Sequence, residues 1–139
     1  MKKLNRLIYP LIILMIVTFD SCKKDDNTSS TPGVVQIVTN GTWRITNFVE
    51  STENKTADFA GYTFSFNSNG QLIALLSGVN TTGSWGWDDS NTKFHISIGS
   101  IKPLSDLTGD WLILEKSETL ISLKNDNSAK NEQVAFARN

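Results

Sequence analysis

The chain of 139 residues is short of the side chains on which reactive centres are usually built. It has one cysteine, Cys22, so no disulfide forms within the chain. It has one histidine, His95, and a single His with a single Cys leaves a zinc site without its nitrogen and sulfur ligands. Charge of one sign is also missing. Lys and Arg number 13 against 14 Asp and Glu, a formal −1, which argues against nucleic acid as a partner because no basic excess is there to neutralise phosphates. No apolar run reaches the ~20 residues that cross a bilayer as a helix. No stretch keeps a 3.6-residue apolar period over the length of a real helix. No serine sits in a Gly-x-Ser-x-Gly elbow, and no glycine-rich loop ends in Lys-Ser or Lys-Thr. "DDSN" and "NDNS" lack the glycine and distal glutamate of a calcium loop. We therefore expect no enzyme, no cofactor and no metal.

What is there begins with a leader. Lys2, Lys3 and Arg6 precede Leu7 to Phe19, a stretch interrupted only by Pro10 and Thr18. A basic head followed by an apolar segment of this size reads as a secretory signal. A cut before Cys22 puts Ser21 last and Phe19 third from last. Phe19 does not suit an ordinary signal peptidase. "FDSC" instead resembles the lipobox of bacterial lipoprotein signals, with Asp20 standing where that family has a small uncharged residue. The resemblance implies that Cys22 becomes the first mature residue and carries a diacylglycerol on its sulfur, so that acyl chains hold the protein at the outer membrane. Each buried methylene contributes about 0.8 kcal/mol, and two or more chains hold firmly where one does not. "CKKDD" resembles the surface-export tag of Bacteroidota-type lipoproteins, with Lys24, Asp25 and Asp26 in its slots. That resemblance implies display on the cell surface. Cleavage after residue 21 removes Lys2, Lys3, Arg6 and Asp20 and leaves 10 basic against 13 acidic side chains, a formal −3.

Three segments follow: a signal peptide over 1–21, a lipidated polar tether over 22–33, and a folded domain over 34–139. In the domain, "VVQIVTNG" predicts a single helical turn stopped by Asn40 and Gly41. The period then becomes two. In "TWRITNFVE" Trp43, Ile45 and Val49 share one parity, and Phe48 is out of step. Tyr62, Phe64 and Phe66 alternate with polar residues ahead of Asn69-Gly70, a hairpin signal. "QLIALLS" is apolar on both parities, which predicts cover on both faces. Trp85 and Trp87 share a face, as do Phe94, Ile96 and Ile98 opposite Lys93, His95 and Ser97. "KPLSDLTGD" breaks the rhythm as a loop or a turn of helix. "WLILEKSE", "TLISLKND" and "EQVAFAR" complete eight short strands. The class is all-β and antiparallel, either a sandwich or an up-and-down barrel, and alternation alone is the same in both.

"NGTWRI" favours the barrel. A short helical turn followed by Gly-x-Trp at the first strand resembles the lipocalin entrance motif, with Gly41 and Trp43 in its two slots. The resemblance covers residues 34–139 and is closest to the small lipocalin-like domains of lipid-anchored proteins. It implies an eight-stranded barrel whose base is closed by Trp43, with Arg138 of the last strand lying across the indole. The chain is shorter than a full lipocalin, and "TGDW" only approximates that family's Thr-Asp-Tyr motif.

An eight-stranded barrel is just wide enough to be filled by side chains or to hold one small ligand. Tyr62, Phe64, Phe66, Trp85, Trp87 and Phe94 all fall on the inward parity, so both a filled core and a cavity stay open at this point. For a cavity, Tyr62, Trp85 and Trp87 are the candidate contacts to a small apolar or amphipathic ligand, since each joins an apolar body to a polar tip. For a solid barrel, the partner is a surface protein or glycan. His95 reads as a surface residue, and Asp88 and Asp89 as part of a solvated turn.

Overall fold

The computed structural model describes residues 33–139; Cys22, Lys24, Asp25 and Asp26 lie outside the described residues. A five-residue helix α1 (Val34–Val38) leads into β1 (Trp43–Glu50), and a two-residue strand β2 (Glu53–Asn54) folds back on it. Then come β3 (Thr63–Phe66), β4 (Gln71–Leu76), β5 (Val79–Trp87), β6 (Lys93–Ser97), β7 (Gly109–Lys116), β8 (Leu120–Asn125) and β9 (Glu132–Arg138). Two 3-10 turns, Thr56–Phe59 and Leu104–Leu107, fill the longer connections. From β3 to β9 each strand pairs antiparallel with the next, and β1 pairs with both β3 and β9. Eight strands therefore close into an antiparallel barrel, and β2 is one extra strand beside the end of β1.

The alternation seen in the sequence is the alternation of the wall. Phe64 and Phe66, Phe94 and Ile96, and Ile121 and Leu123 all point inward and are buried. At Asn69-Gly70 the hairpin turns with Gly70 at φ +83°, a value that costs glycine little. Two expectations need correction. Phe48 is fully buried and inward, and Val49 is not, because the register with β9 slips between Ile45 and Asn47. Thr46 is the extra residue of a β-bulge, and a bulge reverses parity downstream. A second slip lies between Ile113 and Glu115, where the extra residue Leu114, on the outward parity of Asp110 and Leu112, is exposed to water. The other correction concerns β4. Leu72 and Ala74 are buried, but Leu75 is 39% exposed, so the outer face of this strand is not covered.

The lumen is crossed by rings. Phe66 of β3 lies 5.6 Å from Phe94 of β6 and 5.6 Å from Phe136 of β9, with Trp85 5.5 Å away. Phe64 meets Phe136 edge-on at 5.5 Å. Edge-to-face pairs of this kind add about 0.5–1.5 kcal/mol beyond the area they bury. One end of the barrel is stopped by Val34, Ile37 and Val38 of α1, all buried. The far end is stopped by Phe59, 5.0 Å from Phe48, and by Leu104 and Leu107 of the second 3-10 turn. Trp111 fastens that turn by donating its indole N–H to the Leu107 carbonyl at 2.9 Å.

Gly83 sets how closely β5 approaches the end of β6. A Cβ there would overlap the Ser97 carbonyl oxygen and lie 2.8 Å from the Ile98 Cα. Both obstacles are backbone or core and do not give way. Gly83→Ala should therefore destabilise the fold by about 1–3 kcal/mol, the usual cost of overpacking. Urea melts at matched pH check this, and an unchanged midpoint would contradict the packing described.

Candidate functional site

Three places on the barrel carry polar chemistry. The first is the α1 end. Trp43 is fully buried, and its indole N–H donates to the Val38 carbonyl at 2.8 Å. The Arg138 guanidinium lies over this ring, with Cζ 5.2 Å from the centroid. Its Nη2 donates to the Ile37 carbonyl at 3.0 Å. The same two residues are paired in the sheet, Trp43 opposite Arg138. Gly41 has φ +91°, which excludes most side chains there, and the Arg138 stem passes over it; a Cβ would sit at an ordinary 3.6 Å from Cδ. Gly41, Trp43 and Arg138 thus meet in one contact that joins α1, the first strand and the last. This is a structural seal. Trp43 Nε1 and Arg138 Nη2 are spent on α1 carbonyls, and Arg138 Nε is buried without a partner among the described residues.

The second place is the far end, and it separates the three ligand candidates. Trp85 and Trp87 stand toward the α1 end, 5.4 Å apart. Trp85 is core: it is 6% exposed, it packs 5.3 Å from Phe94, and its N–H donates to the Asn67 carbonyl at 2.9 Å. No polar tip is left to orient a ligand. Trp87 lies beyond the core at the rim, 37% exposed. Tyr62 is at the opposite end, stacked on Phe64 at 5.9 Å. The three do not share a site. Tyr62 instead lines a groove of about 300 Å³ with Thr81, Gly99, Ser100, Ile101, Lys102 and Leu104. Ile101, 78% exposed, forms part of its apolar lip, and the Lys102 ammonium is held 3.2 Å from Asp106.

The third place is on the outer wall, where no ligand candidate was expected. A groove of about 370 Å³ is lined by Ser84, Gly86, His95, Ser97, Thr108 and Asp110, among others. His95 Nδ1 lies 2.6 Å from Asp110 Oδ1. A carboxylate only accepts, so Nδ1 donates and the ring is oriented with Nε2 free of this contact. A second groove of about 320 Å³ shares Gly109 and Asp110 and continues along Asn125, Asp126, Asn127 and Lys130. His95 is a surface residue here. Its partner Asp110 went unnoticed in the sequence, because only the β6–β7 register, His95 opposite Asp110, brings the two together. The available signal was that Asp110 falls on the same outward parity in "GDW".

Among the described residues no group of three or more His, Cys, Asp or Glu is placed to hold a metal. Asp88 is more than a solvated turn residue. Its carboxylate accepts from the Ser90 hydroxyl at 2.5 Å, from the Lys93 and Thr92 amides, and from the Thr92 hydroxyl. Those bonds hold its pKa far below the ordinary carboxylate range, with the Ser90 bond the largest cause. At the far end the Lys55 ammonium bonds Glu50 and pulls that carboxyl pKa down. Glu132 is the contrary case. It points inward, is buried, and accepts from the Asn125 amide at 2.6 Å. Burial pushes its pKa up, with Lys130 only partly offsetting the effect.

No protein-family model matches the chain, and no curated protein matches it in sequence. Its fold is similar to the crystal structure of a DUF4847 family protein from Bacteroides vulgatus ATCC 8482, at 17% identity with a TM-score of 0.57, covering 77% of this chain and 98% of that one. A likeness at that identity shows the fold alone.

A carboxyl whose pKa is raised on folding binds its proton more tightly in the native state. Its effect on stability is therefore most favourable below the unfolded value, near pH 4.3, and is lost as pH rises through the folded value. Glu132→Gln keeps an oxygen for Asn125 and removes the buried charge. It should raise stability at pH 7 by about 1 kcal/mol, or roughly 4 °C in Tm, and change little at pH 4. Thermal melts at the two pH values check this; a loss at pH 7 would mean that the Lys130 pairing outweighs desolvation.

Proposed function

We propose that this chain is a lipid-anchored outer-membrane lipoprotein of lipocalin-like type, displayed on the cell surface, whose barrel is a non-enzymatic binding module. Acyl chains on Cys22 are its contact with the membrane, and the Lys24, Asp25 and Asp26 segment is its export tag. The leader, the Cys22 boundary and the acidic tag support the address. Gly41, Trp43 and Arg138, meeting as a basal seal, support the lipocalin-like reading.

Within that reading, the geometry best supports a solid-cored accessory that meets a surface protein or glycan with its outside. One observation carries this: rings from β3, β5, β6 and β9 touch across the lumen. A small apolar or amphipathic ligand is the second reading, favoured by the Tyr62 groove at the far end. That groove is lined mainly by Tyr62 and the 99–102 loop, so a ligand there sits in the mouth and not in the barrel.

Two measurements check this. Cys22→Ser should move the protein from the membrane pellet to the soluble fraction, and a variant that still pellets would contradict the anchor. In a Trp87→Phe variant, which removes the exposed rim indole, fluorescence should stay unchanged across a panel of lipophilic probes, because Trp85 is packed against Phe66 and Phe94 and Trp43 and Trp111 are fully buried. A saturable shift in the emission of that folded variant would show that the interior opens to ligands.

A further inference from the structure

We propose that the outer-wall groove beside His95 binds a neutral glycan, with sugar rings laid across β5, β6 and β7. The inference rests on the reading of the barrel as a binding module and names its partner's chemistry.

Gly86 is the starting point, because the fold does not need it. Gly86 is not among the residues with positive φ, so its backbone suits any side chain. A Cβ there would meet no heavy atom within 4 Å. Gly83, three residues earlier in the same strand, is the contrast, since backbone atoms exclude a side chain there. A glycine inside a strand weakens it and often marks a close approach by a ligand or another backbone. Here what the missing side chain leaves is open floor beside His95, its cross-strand partner.

The lining matches a sugar. A pyranose ring has an apolar C–H face and a rim of hydroxyls, each both donor and acceptor. The open floor at Gly86 leaves room for the face. The rim meets Ser84 and Ser97, paired on adjacent strands, and the His95–Asp110 pair one row away. Because Nδ1 is committed to Asp110, Nε2 is held in one orientation, and a hydroxyl pairs with it in either protonation state. All four positions lie on strands, which are rigid supports for a site.

Size and charge narrow the class. The groove, about 370 Å³ and open to solvent, lets a sugar ring rest on the wall rather than inside it. The second groove shares Gly109 and Asp110 and gives the next unit a place. Two ammonium groups near the trench are engaged: Lys93 lies 2.8 Å from Asp126, and Lys130 lies 3.8 Å from Glu132. An acidic glycan would have to compete with these carboxylates for those two ammonium groups, whereas a neutral one leaves both pairs intact.

The test uses the full chain in a detergent without a sugar headgroup. It is titrated with cellotetraose, maltotetraose, mannotetraose and galactotetraose, and with oligogalacturonate as the acidic control, while backbone amides are followed by NMR. At least one neutral tetraose should shift residues 84–86, 95–97 and 108–110. Gly86→Val should weaken that binding at least about tenfold while its Tm stays level or rises, since valine suits a strand better than glycine. His95→Ala should weaken it to a similar degree. The proposal falls if none of the four binds at millimolar concentration, if oligogalacturonate binds more tightly, if the shifts gather at Tyr62 and Ser100–Lys102, or if Gly86→Val binds as well as the parent. It also falls if a glycoprotein captured by the chain binds equally after enzymatic deglycosylation, which would point to a protein partner. Loss of the glycan with Cys22-dependent membrane attachment intact removes this inference alone and leaves the anchored module standing.

Discussion

The guanidinium of Arg138 rests over the indole of Trp43, and through that contact the last strand of the chain is fastened to the first. The wall depends on it because its two seams at β1 are unequal. Toward β9, the pairing runs from Trp43 opposite Arg138 to Glu50 opposite Glu132. Toward β3, it is a single bridge, Trp43 opposite Phe64. The rest of that side is filled by the 56–59 turn, where Phe48 donates to the Thr56 hydroxyl and its carbonyl accepts from the Lys55 amide, both at 2.8 Å. β1 is therefore held mainly by β9. Loss of the seal would free an edge of the sheet, and an open edge invites pairing with another chain. The C-terminus adds a second fastening, since Asn139 donates its amide to the Thr42 carbonyl and Arg44 reaches the Arg138 carbonyl.

Closure has a consequence for function. A short barrel that commits its interior to Phe64, Phe66, Phe94, Phe136, Trp43 and Trp111 uses the lumen for stability. Chemistry is then left to the mouth at Tyr62 and to the outer wall at His95. The wall offers positions fixed by strand register, where side chains two residues apart and one strand over form a repeating grid. The mouth is built from turns and is the more adaptable of the two.

The wall itself was readable in the chain. "YTFSFN" and "KFHISI" alternate without exception, and the structure keeps their inward and outward assignments. Phe48 was misread because a bulge at Thr46 reverses the parity, and the sequence marks that bulge only by the residue that seems out of place. Trp85 shows a different limit. An inward aromatic looks the same whether it faces a ligand or another ring, and only the contacts with Phe66, Phe94 and the Asn67 carbonyl decide. Tyr62 and Trp85 share a parity yet lie toward opposite ends, which no pattern of period two records. The His95–Asp110 pair is fifteen positions apart in the chain and depends on register across a loop that contains a 3-10 turn. Glu132 shares the inward parity of Val134 and Phe136 yet reads as the polar start of a strand, and the structure shows it as an inward, buried acid.

The central claim is that the indole and the guanidinium act on each other, beyond what each does for its own strand. A double-mutant cycle with Trp43→Leu and Arg138→Met, read by urea unfolding, isolates that coupling. A favourable interaction of about 1 kcal/mol or more is the result the account predicts, in the upper part of the range for a desolvated cation over an aromatic face. Additive losses, with no coupling beyond error, would show that the barrel closes without the seal and would contradict it.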